Sequence, residues 1–443
     1  MNAKEYFDRG LEHLKNGNLR EALLDFKSAI AIEPYYTAAV LNAAYVLEQQ
    51  GEYEEALEIY NNYIKLDPDK PLVWFHHGFL LGKMGNRTQA LESYDTALVL
   101  KPDYVEVMNN KGTLLAELGK HDEAIALFTL LIQKESKNAK AYNNRGGSYA
   151  EIGKFHDALH DFNKALDIDP EYAMAWSNKG MILGRMKCFD EAILAIDEAL
   201  KYNSKIADIW LNKGALLGNM DKTKEALECF EKALVININF AKAWYNKGLA
   251  LKRLKNFIAS YDAFKKAIEI NDKYNDAHYY LGELYFLFGS YDQSLNEINK
   301  ILVSDEKYWA AHILKGKIYV YLNRTKEAKE ELRTAKNIDP LQFESDLWSI
   351  YCKYIESLGL ENNHQKKQRS EIIAVIRELE KIISIWRRLL KSAKPNDLLS
   401  NLYYWLAIMY SNIADYINAK DNLIRSLDHN NKCSKAREFL NFV

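Results

Sequence analysis

AKAYNNRGGSYAEIGKFHDALHDFNKALDIDPEY, residues 139–172, reads as two short helices that need neighbours. Tyr142, Gly146 and Tyr149 fall on one face of a first helix. Gly153 stops that helix, because a left-handed C-terminal residue costs glycine least. Ala158, Phe162 and Ala165 mark one face of a second helix, and Pro170 prevents its continuation. The small residues Gly146 and Ala158 let the two helices approach closely, and the aromatics fill the space beside them. Neither apolar stripe can be buried within the pair, so such pairs must stack.

The rest of the chain repeats this stretch. Glycines stand at Gly10, Gly78, Gly112, Gly146, Gly180, Gly214, Gly248, Gly282 and Gly316. Every interval is 34 residues except one of 68, where Ala44 occupies the missing place. Pro34, Pro68, Pro102, Pro170 and Pro340 obey the same grid. Nine of 20 glycines and five of seven prolines in one register exclude chance and define ten units without insertion, from Ala3 to Gln342. Positions below are counted within a unit, Ala139 being position 1 of the fifth.

The pattern resembles the tetratricopeptide repeat family, with large-Gly-large in the first helix, then Ala, an aromatic, Ala and Pro. Trp176-Ser177-Asn178-Lys179-Gly180 and Trp244-Tyr245-Asn246-Lys247-Gly248 lie close to that family's consensus. The departures are Ser260 and Ser294 for the second-helix Ala, and Ser136, Ser204, Ile238, Asp272 and Glu306 for the Pro. They are expected to weaken single junctions and leave the fold intact. The resemblance implies an all-α fold, a right-handed α-α superhelix (solenoid) of about eleven units.

The register breaks after Gln342. Residues 343–399 form a divergent helical insertion, with helices expected over Glu344–Leu358 and Ser370–Lys391. A polar loop with Asn362, Asn363, His364 and Gln365 joins them, followed by the short basic loop Lys366 to Arg369. The second helix carries Ile372, Val375, Leu379, Ile382, Trp386 and Leu389 on one face. That face suits packing on the stack, a partner helix or an anionic membrane, with packing the default because acidic residues oppose the last. A degenerate eleventh unit runs from Ser400 to Cys433, with Leu406-Ala407, Tyr410, Ala419 and Leu423 in register, and Ser434 to Val443 as a cap. Whether residues 343–399 occupy the groove or meet a partner stays open.

In the family the first helices line a concave wall, which places positions 2, 5, 6, 9, 12 and 13 inside. Position 6 reads Asn42, Asn110, Asn144, Asn178, Asn212 and Asn246, the last five in succession. A carboxamide offers donor and acceptor together, so such a row suits the main chain of an extended peptide. It is similar to the asparagine ladder of the repeat superhelix in O-GlcNAc transferases. The same residue also fits a consensus position satisfied by its own helix or by water.

Four glycines outside the repeat grid fall on this wall: Gly82, Gly184 and Gly218 at position 12, and Gly147 at position 9. Glycine within a helix costs about 1 kcal/mol relative to alanine. Close approach of a ligand or tight packing between units would each account for that cost. Phe75 and Phe79 line the third unit, and Tyr245, Tyr279 and Phe286 the eighth and ninth, as partner anchors or as packing. Lys140, Arg185, Lys242, Lys252 and Arg253 add positive charge against Glu106, Glu117, Glu151 and Asp208. This mixed charge favours a protein or peptide partner over nucleic acid. Position 5 is never Lys and position 9 never Asn, which disfavours the carboxylate clamp of the chaperone-binding relatives.

Composition agrees with that reading. The 59 basic against 61 acidic residues lack the basic excess of a dedicated nucleic-acid binder. Four cysteines at wide spacing show no metal or disulfide pattern. Leu398 to Ala414 is uncharged but too short and too polar for a membrane span. Charges in the first six residues oppose a signal peptide, so a cytoplasmic chain is expected. His156 and His160 are four apart but lack the Glu of a zinc-protease motif and are expected at the surface. No nucleophile motif or phosphate loop occurs, so no cofactor, no metal and no catalysis are expected. The expected function is a non-enzymatic scaffold binding an extended polypeptide. The alternatives are a self-associating assembly protein and the targeting subunit of a separately encoded enzyme, with oligomeric state open.

Overall fold

The computed structural model describes residues 1–340, 343–358, 365–389, 397–412 and 415–429. The described residues form twenty-four helices, α1 to α24, which divide into two compact bodies, Met1–Ile238 and Asn239–Val443. The division falls at the junction of the seventh and eighth units, within the repeat array rather than at its end.

In the first body each unit is one hairpin, odd-numbered helix first. The units that matter below are α7 (Val105–Glu117) with α8 (His121–Lys134), α9 (Ala139–Glu151) with α10 (Phe155–Ile168), α11 (Ala173–Arg185) with α12 (Phe189–Tyr202), and α13 (Ala207–Asn219) with α14 (Thr223–Ile236). The position-8 glycine sets the distance between the two helices. A Cβ on Gly146 would lie 2.8 Å from Phe162, and one on Gly214 would lie 2.5 Å from Phe230. Each ring is buried in the space that the missing side chain leaves.

Position 15 is left-handed in all ten units. Six are glycines with φ of 75–83°, and the other four, Lys187, Asp221, Lys255 and Asn323, hold φ of 59–64°. The turn geometry is imposed by the packing of the two helices, and glycine is only the residue that meets it without strain.

Neighbouring units are tied by a second recurring contact. Trp74, Trp176 and Trp210 at position 4 donate their indole N–H to the carbonyls of Pro68, Pro170 and Ser204, six residues earlier, at 2.7–2.9 Å. First helices also touch the first helix of the next unit, from α9 to α11 and α11 to α13. One wall of this body is therefore made of first helices alone.

The second body begins with α15 (Ala241–Arg253), which keeps Trp244 at position 4, and its next two units place histidine there. His278 and His312 donate from Nε2 to the carbonyls of Asp272 and Glu306, again six residues earlier, at 2.9 and 3.0 Å. Their Nδ1 atoms meet Glu297 at 2.5 Å and Glu331 at 2.6 Å, and Lys300 and Lys315 pair with the same carboxylates. At His312 the two acceptors around the ring favour the imidazolium. The bond to Glu331 lifts the His312 imidazole above its ordinary value against the opposing effect of burial. Stability from this pair is fully present below the unfolded-state value of about 6.5 and is lost as pH rises through the raised folded value. Urea midpoints measured across that range should therefore fall with rising pH, and His312→Gln should flatten the profile. Equal slopes for both chains would reject the assignment.

Ser260 and Ser294 are fully buried, and their hydroxyls donate to the carbonyls of Gly248 and Gly282 at 2.8 and 2.6 Å. The expectation that they weaken their junctions is corrected: each adds a bond across its hairpin. After α20 (Thr325–Ile338) come α21 (Phe343–Leu358), α22 (Gln365–Leu389), α23 (Asp397–Asn412) and α24 (Tyr416–His429). Helix α22 begins at Gln365, so Lys366 to Arg369 are helical and not a loop. Ile350, Tyr354, Ile372, Val375, Leu379, Tyr403 and Leu406 share one core, which uses the apolar face of α22 for packing. Residues Asn362, Asn363, His364, Lys391, Cys433 and the expected cap 434–443 lie outside the described residues.

Candidate functional site

Three of the position-6 asparagines of the first body are bonded to the preceding unit. Asn144 Nδ2 donates to Asn109 Oδ1 at 3.0 Å and to Thr113 Oγ1 at 3.3 Å. Asn178 Nδ2 donates to Asn143 Oδ1 at 3.0 Å, and Asn212 Nδ2 to Ser177 Oγ at 3.0 Å. Each residue thus bonds position 5 of the previous first helix, and Asn144 also reaches Thr113 at position 9. Asn42 instead bonds the Ala38 carbonyl of its own helix, and in the second body Asn246 bonds that of Lys242, both at 2.8 Å. All six asparagines, Asn110 included, are half-buried. The row is thus both a wall lining and a set of links between units. Sequence reasoning missed the acceptors Asn109, Asn143 and Ser177, although three small polar residues in succession at position 5 were the available signal.

A cavity of about 330 Å³ opens on this wall across units four to six. Asn144, Gly147 and Asn178 line it together with Ala116, Glu117, His121 and Glu151. A Cβ on Gly147 would meet no atom within 4 Å, and the same holds at Gly82. At Gly184 a Cβ would lie 2.8 Å from Leu216, so that glycine is explained by packing against the next unit. Gly218 is half-buried.

The charged residues stand at the surface. Lys140 and Lys242 are exposed, as is Arg185, which donates to the Ala150 carbonyl at 3.3 Å and lies 3.9 Å from Glu151. Phe79 is 41% exposed, while Phe75 is half-buried between Phe79, Tyr94 and Tyr104. In the second body Tyr245 packs on Tyr274 at 5.0 Å and Tyr279 on Tyr308 at 6.0 Å between ring centroids. Burial pushes the hydroxyls of Tyr245 and Tyr279 well above the ordinary tyrosine range. Phe286 packs on Tyr291 and Tyr321. These three rings are spent on packing against other rings, and of the five candidate aromatics Phe79 is the most exposed.

His156 and His160 are exposed on α10, and no group of residues able to hold a metal is found among the described residues. No described helix is long and apolar enough to cross a membrane.

Stacked helical hairpins with a wall of first helices and a ligand-sized hollow define a helical-repeat interaction scaffold. Tetratricopeptide repeat profiles match residues 13–74, 77–140, 139–172, 207–240, 241–274 and 310–340. The chain belongs to the tetratricopeptide repeat family. No curated protein matches it significantly. Among solved structures, a human IFIT1 dimer with PPP-AAAA is 17% identical with a TM-score of 0.51, over 88% of this chain and 89% of that one. Pseudomonas aeruginosa pilF is 18% identical with a TM-score of 0.45, over 48% of this chain and 97% of that one. The first of these likenesses shows the fold.

Proposed function

We propose that the chain is a non-enzymatic scaffold that holds an extended polypeptide along the first-helix wall of units four to seven. The observation that carries this reading is the hollow beside Asn144, Gly147 and Asn178, where small residues leave room and carboxamides face it. The amides keep acceptor capacity, since Asn178 and Asn212 use their N–H groups on the neighbouring unit. A peptide main chain laid there would donate to those oxygens, and Phe79 would provide a side-chain contact further along the same body.

Replacing Asn144, Asn178 and Asn212 together by alanine should weaken partner binding by tenfold or more while the helical circular dichroism persists. Because these amides also link units, a second variant separates the two roles. Gly147→Leu fills the hollow without touching an inter-unit bond and should lower affinity with little change in melting temperature. Unaltered affinity in both variants would reject the wall as the binding surface.

A further inference from the structure

The hollow is lined by acceptors and lacks cations. Its lining holds Glu117, Glu151, Asn143, Asn144, Asn178 and His121, and neither Lys nor Arg. Glu117 and Glu151 occupy position 13 of consecutive units and are both exposed. Four of the six amide hydrogens are engaged within the stack: Asn144 gives its pair to Asn109 and Thr113, Asn143 donates one to Asn144, and Asn178 donates one to Asn143. The only charged groups of the lining are the carboxylates of Glu117 and Glu151.

One polar atom there is unmet. His121 Nδ1 is buried with no hydrogen-bond partner, the single such side-chain atom among the described residues. Gly147 supplies the depth, since nothing lies within 4 Å of where its Cβ would be. A volume of about 330 Å³ sits at the lower end of ligand-sized hollows, suited to one long side chain and its backbone.

We propose that this hollow selects a lysine or arginine side chain of the bound segment, its cationic head held by Glu117 and Glu151 and its stem passing over Ala116 and Gly147. The inference rests on the reading that the wall holds an extended polypeptide. Charge complementarity favours the cation over a neutral donor, because two carboxylates on neighbouring units face one cavity. Arg185, 3.9 Å from Glu151, is the nearest competing cation, and at that distance it holds the carboxylate loosely and stays half exposed.

The test uses the full chain and a phage-displayed library of random linear peptides. Selected peptides should be enriched in Lys or Arg at one position, and changing that residue to Gln should weaken binding by about tenfold or more. The double variant Glu117→Gln, Glu151→Gln should show the same loss toward the basic peptide and none toward its Gln form. Both glutamates are exposed and the exchange is isosteric, so unchanged circular dichroism is the expected control. Peptides without basic enrichment, or equal affinity for the double glutamine variant, overturn the cation assignment. If those peptides still lose affinity to the triple Asn→Ala variant, the wall as a binding surface survives that result. If no peptide is selected, or none depends on the asparagines, both readings fall.

Discussion

Arg145→Ala is expected to destabilise the first body by about 3–5 kcal/mol, because it leaves a buried carboxylate without its cation. Arg145 grips Asp161 through Nε at 2.7 Å and Nη2 at 2.8 Å, and gives Nη1 to Thr129 of the preceding unit at 3.0 Å. Asp161 is 1% exposed, so water cannot take over the bonds that the guanidinium supplied. The replacement therefore removes a cation, a hairpin bond and a link between units at once. Arg9 and Asp25 repeat the arrangement in the first unit, but Arg9 is 45% exposed, and Arg9→Ala should cost less. Urea unfolding of both variants measures the difference. Combining Arg145→Met with Asp161→Leu should restore most of the loss, since an apolar pair needs no solvation. A loss under 1 kcal/mol for Arg145→Ala, or no recovery in the double variant, would contradict the account.

The second large effect concerns the glycine that sets the hairpin. Phe128 is fully buried, and a Cβ on Gly112 would stand 2.7 Å from its ring. Phe128→Ala should cost about 3–5 kcal/mol through lost burial and the cavity left behind. Gly112→Ala alone should destabilise by about 1–3 kcal/mol, since the added methyl forces the buried ring to shift. In the Phe128→Ala background the same methyl enters empty space, and the helix gains about 1 kcal/mol from losing an interior glycine. The sign of Gly112→Ala should therefore reverse between the two backgrounds. A double-mutant cycle reads this directly, and additive effects would show that the glycine answers to something other than the ring.

Much of the fold was legible because a repeat states its architecture many times over. Gly146, Ala158, Phe162 and Gly153 each recur at fixed spacing, so the hairpin, its close approach and its turn follow from one unit and are checked by nine others. The candidate site was legible only as a set of positions. Asn144 and Asn178 were placed on the wall by their register, but register does not say whether a carboxamide points at a ligand or at the next helix. Gly82 and Gly184 share position 12 in the chain, yet a Cβ would meet open space at the first and Leu216 at the second. Tyr245 and Tyr279 read as anchors and are largely spent on neighbouring rings.

The amino-acid sequence determined the period, the pairing of helices and the need to stack, because a 34-residue hairpin has more apolar surface than it can bury alone. Tertiary structure alone decided where the polar groups went. The rotation of one unit on the next sets whether Asn178 reaches Asn143, whether a missing Cβ becomes a hollow, and which nitrogen of His121 is left unpaired. Those outcomes turn on separations of about 3 Å between residues some 35 apart, and hydrogen bonds fade within a few tenths of an ångström beyond that reach.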